Sequence, residues 1–131
     1  MTANFRSDNE TPVAPQIWAA LEEANHGPAW AYQNDQWSGR HDEAFSKLFE
    51  TDTTVLPVVT GTVANSIALA CMTPPWGSVF CHDWAHIFRD EGGAPEFFGH
   101  GLRLTPVEGA NGRIAAADLP AAIKGIEGRG V

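Results

Sequence analysis

The chain has 131 residues, of which 44% are hydrophobic and 18% charged, and this composition is typical of a globular domain and excludes a disordered chain. Its formal charge is −8, and its 8 basic residues form no cluster, so we expect no binding of nucleic acid. The sequence has neither an apolar run of membrane-spanning length nor a signal-peptide pattern at its start, so we expect a cytoplasmic protein that binds no membrane.

The first part of the chain predicts an extended arm followed by two helices. Residues 1–14 are polar and contain proline, which favours the arm. Apolar residues at helical spacing predict a helix over 15–24, where a Gly-Pro pair follows its end, and a second helix over about 40–50. Between the helices, Tyr32-Gln33-Asn34-Asp35 in isolation favours a turn built by Asn and Asp.

The next stretch predicts a buried strand, a turn and a third helix. Residues 55–59 form a short apolar run rich in valine, which indicates a buried strand. Gly61 then allows a sharp turn and the close approach of another group. From Val63 to Met72 the apolar residues recur at helical spacing.

A strand, a small polar turn and a helix can together form an anion site. The first N–H groups of a helix have no internal acceptor, and the helix dipole favours negative charge there. Hydroxyl groups of Thr60, Thr62 and Ser66 could add donors for a phosphate. Alternatively, Thr60 or Thr62 caps the helix and nothing binds, because threonine is a common N-cap. The residues alone leave both interpretations open.

The rest of the chain predicts a strand over 78–81, a helix over about 82–91, a strand over 102–107 and a last helix capped by Asp118. Strands that alternate with helices indicate an α/β layer with parallel pairing. A zinc site is a further hypothesis for the segment that begins at the end of the first of these strands. His82 and His86 would share one helix face and could bind zinc with Cys81 or Glu91. A further ligand at conventional spacing is missing, so we expect no metal.

His86 by itself is compatible with an ordinary surface or core histidine, with a catalytic residue, or with a flat ring that stacks on an aromatic ligand. The segment Arg6-Ser7-Asp8-Asn9 by itself favours a solvated terminus. Neither segment identifies a function alone.

Four blocks of sequence, taken together, resemble the threonine aldolases, which are pyridoxal-phosphate enzymes of the aromatic amino acid β-eliminating lyase/threonine aldolase family. The blocks are Arg6-Ser7-Asp8, Tyr32-x-Asn34-Asp35-Gln36-Trp37-Ser38, Thr60-Gly61-Thr62-Val63-Ala64-Asn65-Ser66 and Cys81-His82-x-x-Ala85-His86-Ile87-x-x-Asp90-Glu91-x-Gly93-Ala94-Pro95-Glu96-Phe97-Phe98. The last block is similar to the low-specificity threonine aldolase and phenylserine aldolase branch. In one departure, Gln33 follows the tyrosine where the family usually has glycine.

The resemblance implies an α/β chain of fold type I. On this basis we expect an arm over 1–14 and, over 15–131, the N-terminal part of the large domain, as an incomplete, mainly parallel sheet flanked by helices. The site residues that the resemblance implies are Gly61, Thr62, Asn65 and His86 for pyridoxal 5′-phosphate, His86 for catalysis, and Ser7, Asp8 and Tyr32 for the substrate.

The resemblance also implies an activity, which is the cleavage of L-threonine or a related β-hydroxy-α-amino acid to glycine and an aldehyde by a homodimer or homotetramer. The family's Schiff-base lysine lies further along its sequence, and Lys47 and Lys124 are not in a matching context. We therefore expect an N-terminal fragment that is inactive alone. β-Elimination or racemisation with the same cofactor, and a non-catalytic phosphate-binding module, are the alternatives.

Overall fold

The computed structural model describes residues 6–7 and 10–127. The chain divides into two compact units, Met1–Leu56 and Pro57–Val131. None of the helices in the described part combines the length and the apolar character needed to cross a membrane.

Two helices make up the regular structure described in the first unit, α1 over Pro15–Ala24 and α2 over Gln36–Phe49. Both were predicted from the sequence. Proline at the start of α1 suits a helix N-terminus, where its missing N–H group costs nothing. Helix α2 begins at Gln36 rather than at about residue 40.

The early start of α2 follows from its N-cap, Asp35. One carboxylate oxygen of Asp35 accepts hydrogen bonds from the N–H groups of Trp37 and Ser38 at 2.8 and 2.9 Å, and the other accepts one from the Ser38 hydroxyl at 2.7 Å. These bonds satisfy amides that a helix start leaves without partners. The hydrogen bond from the Ser38 hydroxyl, more than any other contact, lowers the pKa of the Asp35 carboxyl below its ordinary value of 3.8.

The second unit is an α/β arrangement built on two parallel strands, β1 and β2. Its elements in chain order are α3 (Gly61–Met72), β1 (Ser78–His82), α4 (His86–Arg89), α5 (Ala94–Phe98), β2 (Arg103–Val107), a 3-10 turn (Ala110–Gly112) and α6 (Leu119–Glu127). Ser78 pairs with Arg103 and His82 with Val107 in a parallel register. Both strands and their parallel pairing were predicted. The crossover between them carries α4 and α5.

The buried core of the second unit is small and lies on the strands. Cys81, Leu102 and Leu104 form its buried cluster, and Leu69 of α3 packs against that cluster. Helix α3 also packs against α5. The core therefore fixes α3 beside the β1–β2 crossover.

Two predicted elements were wrong. Residues 55–59 form no strand, because the described structure offers them no neighbouring strand and leaves Leu56 and Val59 66% and 93% exposed. The predicted helix over 82–91 is reduced to the single turn of α4, because His82 belongs to β1 and its backbone oxygen accepts from the N–H group of Ala85 at 2.8 Å in a turn.

We predict that Gly99→Ala destabilises the chain, since a Cβ at this buried position would overlap the Leu102 side chain and lie 2.6 Å from the Pro95 oxygen. The expected loss in the free energy of unfolding is about 1–3 kcal/mol, as for other overpacked cores. Gly125→Ala is the matched control, because a Cβ there meets no atom within 4 Å. Alanine in α6 should add about 0.5–1 kcal/mol. Urea unfolding measures the free energy of unfolding of both variants, and an equal change in the two would contradict the packing argument.

We predict that the Asp35 cap makes stability depend on pH in the acid range. Because the folded pKa of Asp35 lies below the unfolded value, its contribution is present above pH 3.8 and is lost as the pH falls through the folded pKa. Asp35→Asn keeps a capping oxygen but cannot titrate. Urea unfolding between about pH 7 and pH 2 should show a smaller acid loss in this variant than in the wild type. Parallel pH curves would contradict the prediction.

Candidate functional site

The start of α3 combines a capped first turn with two open amide groups. Thr60 has an extended backbone and is the N-cap, and its Oγ1 accepts from the Val63 N–H group at 3.2 Å. The Thr60 carbonyl oxygen accepts from Ala64 at 3.2 Å. Among the described residues, the N–H groups of Gly61 and Thr62 have no acceptor. Thr60 therefore caps the helix, as one of the two interpretations of the sequence has it, and the N–H groups of Gly61 and Thr62 remain as donors for a ligand.

Gly61 keeps this corner open. A Cβ built on Gly61 would meet no atom within 4 Å, and Gly61 is exposed. The missing side chain therefore lets a ligand approach the first amides of α3 closely. An anion is the ligand that such a position favours, because the helix dipole places about half a positive charge there.

A buried carboxylate, Glu91, connects α3 to His86. Its Oε1 accepts a hydrogen bond from Asn65 Nδ2 at 2.7 Å and lies 2.8 Å from His86 Nδ1. The Glu91 side chain is 0% exposed, whereas that of His86 is 68% exposed. Asn65 stands four residues after Gly61, on the same face of α3. The three side chains therefore join the open face of α3 to an exposed imidazole.

Local backbone structure explains how Glu91 becomes buried beside His86. His86 is the first residue of α4, whose single turn ends at Arg89. Directly after Glu91, Gly92 and Gly93 have φ values of 60° and 79°, which glycine adopts without strain. The chain reverses there and begins α5, and the Ala94 N–H group donates to the Glu91 carbonyl oxygen at 3.0 Å.

Sequence reasoning missed the role of Glu91, which it considered only as a zinc ligand and as part of a matching block. The two contacts of its carboxylate span 26 and five residues of sequence, and no helical or strand period reports them. The signal available in the sequence was the Gly-Gly pair directly after this glutamate. The chain reverses at that pair, and Glu91 is buried just after the end of α4.

The structure gives no support to the zinc hypothesis. His82 ends β1 while His86 begins α4, so the two rings do not share a helix face. Buried His82 has Nε2 2.8 Å from the Gly109 oxygen, and its Nδ1 lies 3.0 Å from both the Trp84 amide nitrogen and Asp83 Oδ1. Both ring nitrogens are therefore engaged whether the ring is neutral or protonated.

The thiol of Cys81 is also unsuited to bind zinc. Burial, and secondarily the charge of Glu96, raises the pKa of Cys81, so the thiol stays protonated. Within the part of the chain that the structure describes, three or more metal-binding side chains do not come together anywhere.

The remaining predicted site residues lie in the first unit. Ser7 is half-buried, and Asp8 lies outside the described residues. Tyr32 is 94% exposed. Tyr32 and Gln33 both have positive φ, 61° and 63°, in the left-handed region. Gln33 therefore adopts the left-handed backbone conformation that glycine takes without strain.

Comparison with known proteins identifies relatives over most of the chain. A family model described as beta-eliminating lyase matches residues 4–129. The chain is 44% identical over 115 residues to the low specificity L-threonine aldolase of a Pseudomonas species, covering 88% of this chain and 33% of the relative. It is 43% identical over 118 residues to the protein of the same name from Pseudomonas aeruginosa, covering 90% of this chain and 34% of the relative.

The fold has a solved counterpart in the threonine aldolase of Leishmania major. The TM-score is 0.75 at 24% identity, and the match covers 88% of this chain and 34% of that one. This likeness shows the fold, which is a partial α/β domain of fold type I, as predicted. The chain spans about a third of the length of the relatives that it matches. Because the family model matches nearly the whole sequence, the chain belongs to the beta-eliminating lyase family.

Proposed function

We propose that this chain is the cofactor-phosphate part of an aldolase that uses pyridoxal 5′-phosphate and cleaves L-threonine or a related β-hydroxy-α-amino acid to glycine and an aldehyde. Beta-eliminating lyases and threonine aldolases depend on this cofactor. The observation that carries the proposal is the pair of open amides at Gly61 and Thr62, on the helix whose next turn is linked through Glu91 to His86.

The residues at the start of α3 fit the phosphate group of the cofactor. Two amide donors, a helix dipole and a residue without a side chain suit a dianionic group. Asn65 gives one of its amide hydrogens to Glu91, and its second hydrogen is available to the phosphate. Hydrogen bonds to a charged group are each worth about 1.5–3 kcal/mol, so two or three of them are enough for phosphate selectivity.

His86 has two roles in this proposal. Its flat, exposed ring can stack on the cofactor ring, and its Nε2, which has no partner in the described part of the chain, can accept the proton of the substrate β-hydroxyl. When bound, pyridoxal phosphate supplies an electron-accepting ring that stabilises the charge released at the substrate Cα. Relay of the proton through a water molecule held by His86 is an alternative form of the same step.

Substrate contacts by Ser7, Asp8 and Tyr32, a homodimeric or homotetrameric assembly and a cytoplasmic location complete the proposal. What supports them is the similarity to the two Pseudomonas relatives, together with two cysteines that are free thiols. The amino-acid substrate follows from the names of those relatives.

We predict that Gly61→Ala weakens binding of pyridoxal phosphate by about tenfold or more without destabilising the chain. The new methyl group meets no protein atom within 4 Å, but it occupies the space in front of the open amides. Losing one charged hydrogen bond accounts for this factor. Titration calorimetry of the chain with pyridoxal phosphate measures the affinity, and thermal unfolding measures stability.

Gly125→Ala is the matched control for this test, because it makes the same replacement, also without overlap, in α6. Its affinity for pyridoxal phosphate should equal that of the wild type. Wild-type chain should also bind pyridoxal, which lacks the phosphate, far more weakly. Equal affinities for the two compounds would refute a phosphate site at α3.

We predict that substitutions of His86 separate stacking from proton transfer. His86→Phe keeps a flat ring but has no proton acceptor, so cofactor affinity should be largely kept while kcat for threonine cleavage falls by about 10²–10⁴-fold. His86→Ala should lower both the cofactor affinity and kcat. These variants are made in the complete gene product and are assayed by glycine release and by cofactor titration. A kcat for His86→Phe near that of the wild type would exclude proton transfer by His86.

β-Elimination is the second candidate, and the description of the matching family favours it. The two reactions leave different products, because aldol cleavage yields glycine and an aldehyde whereas elimination yields ammonia and a keto acid. Product analysis with L-threonine and with phenylserine distinguishes them. Ammonia without glycine would replace the aldolase by an eliminating lyase at the same site.

A further inference from the structure

We propose that Glu91 is a positioning residue that fixes the proton of the neutral His86 ring on Nδ1 and thereby leaves Nε2 free as the proton acceptor. The use of Nε2 in catalysis rests on the proposed function. The choice of tautomer does not, because it follows from contacts within the second unit alone.

The contacts of Glu91 Oε1 determine the direction of both hydrogen bonds. An ionised carboxylate has acceptors only, so Asn65 Nδ2 at 2.7 Å and His86 Nδ1 at 2.8 Å must both act as donors. Asn65 cannot turn its own oxygen toward Glu91 without opposing two acceptors. The proton on His86 is therefore held at Nδ1, and the neutral ring carries its lone pair on Nε2.

The burial of Glu91 makes this preference strong. Its side chain is 0% exposed, so water does not compete for Oε1, and a charged hydrogen bond is stronger there than a neutral one at the surface. His86 Nδ1 has no second partner among the residues described. We expect the Nδ1–H form to exceed the Nε2–H form by at least about tenfold, which corresponds to about 1.4 kcal/mol.

The second oxygen of Glu91 makes this carboxylate costly for the stability of the fold. Oε2 is buried, and within the described chain it has no hydrogen-bond partner. A buried charge with one unsatisfied oxygen is costly, and an apolar side chain of similar volume would avoid that cost. Holding Asn65 of α3 and His86 of α4 in one arrangement is the function that these contacts support.

The direct test is the tautomer of His86, read from long-range proton–nitrogen correlation spectra of the chain labelled with nitrogen-15 at histidine. Spectra are recorded at a pH at which the ring is neutral, and His86→Asn identifies the signals of His86 by their loss. We expect a protonated Nδ1 and a bare Nε2 in the wild type. A wild-type ring with its proton mainly on Nε2 would overturn the proposal without any further variant.

Variants at Glu91 then test the cause. Glu91→Gln supplies an amide oxygen that can accept from Nδ1, so the Nδ1–H form should persist. Glu91→Ala should convert His86 to a mixture of both forms, and an unchanged tautomer in that variant would overturn the proposal. If Glu91→Ala does not fold, the glutamine variant decides, because loss of the Nδ1–H form in a folded Gln variant contradicts the acceptor argument.

The matched control is Glu96→Gln. Glu96 also has a buried Oε2 without a partner in the described structure, and His86 Nδ1 contacts the carboxylate of Glu91 and not that of Glu96, so the tautomer should not change. In the complete gene product, Glu91→Ala should lower kcat for threonine cleavage about tenfold or more, whereas Glu91→Gln should keep most of the wild-type kcat. Equal kcat values for the alanine and glutamine variants would contradict the role of Glu91 as a positioning residue. Failure to bind pyridoxal phosphate would refute the proposed function but leave the tautomer result intact.

Discussion

The site in the second unit depends on one buried carboxylate. Glu91 reaches two donors that come from different elements, Asn65 on α3 and His86 on α4, and it does so from a position without solvent. A buried charge of this kind is stable only while both donors remain in place. The position of the exposed imidazole is therefore tied through Glu91 to α3, the helix whose first amides are open.

Helix α3 serves two surfaces, which explains its composition. At its start and along the face of Gly61 and Asn65 it offers polar groups. On another face, Ile67 and Ala70 help to line a largely apolar cavity of about 450 Å³ shared with Phe98 of α5. A helix that packs on one side and binds on another needs small residues, since bulky ones would close the approach to its first turn.

Local sequence patterns predicted the elements whose causes are local. Helix α1 follows its proline start, and β1 and β2 follow their short apolar runs with parallel pairing. The strand expected over 55–59 failed because a strand requires a partner, and the described residues supply none to that run. The helix expected over 82–91 did not form at its start because His82 is the last residue of β1, where it pairs with Val107.

The candidate site was predictable only in part, for a related reason. The helix start at Gly61 and Thr62 was predictable because adjacent residues encode it, whereas the hydrogen bond between Asn65 and Glu91 joins positions 26 apart and follows no local period. The same distinction explains the division of chemistry in the site. Amides at a helix start need only correct local folding to bind an anion, but a proton acceptor needs one defined tautomer. In the proposed reaction that second requirement is met by the buried carboxylate of Glu91, whose Oε1 lies 2.8 Å from His86 Nδ1.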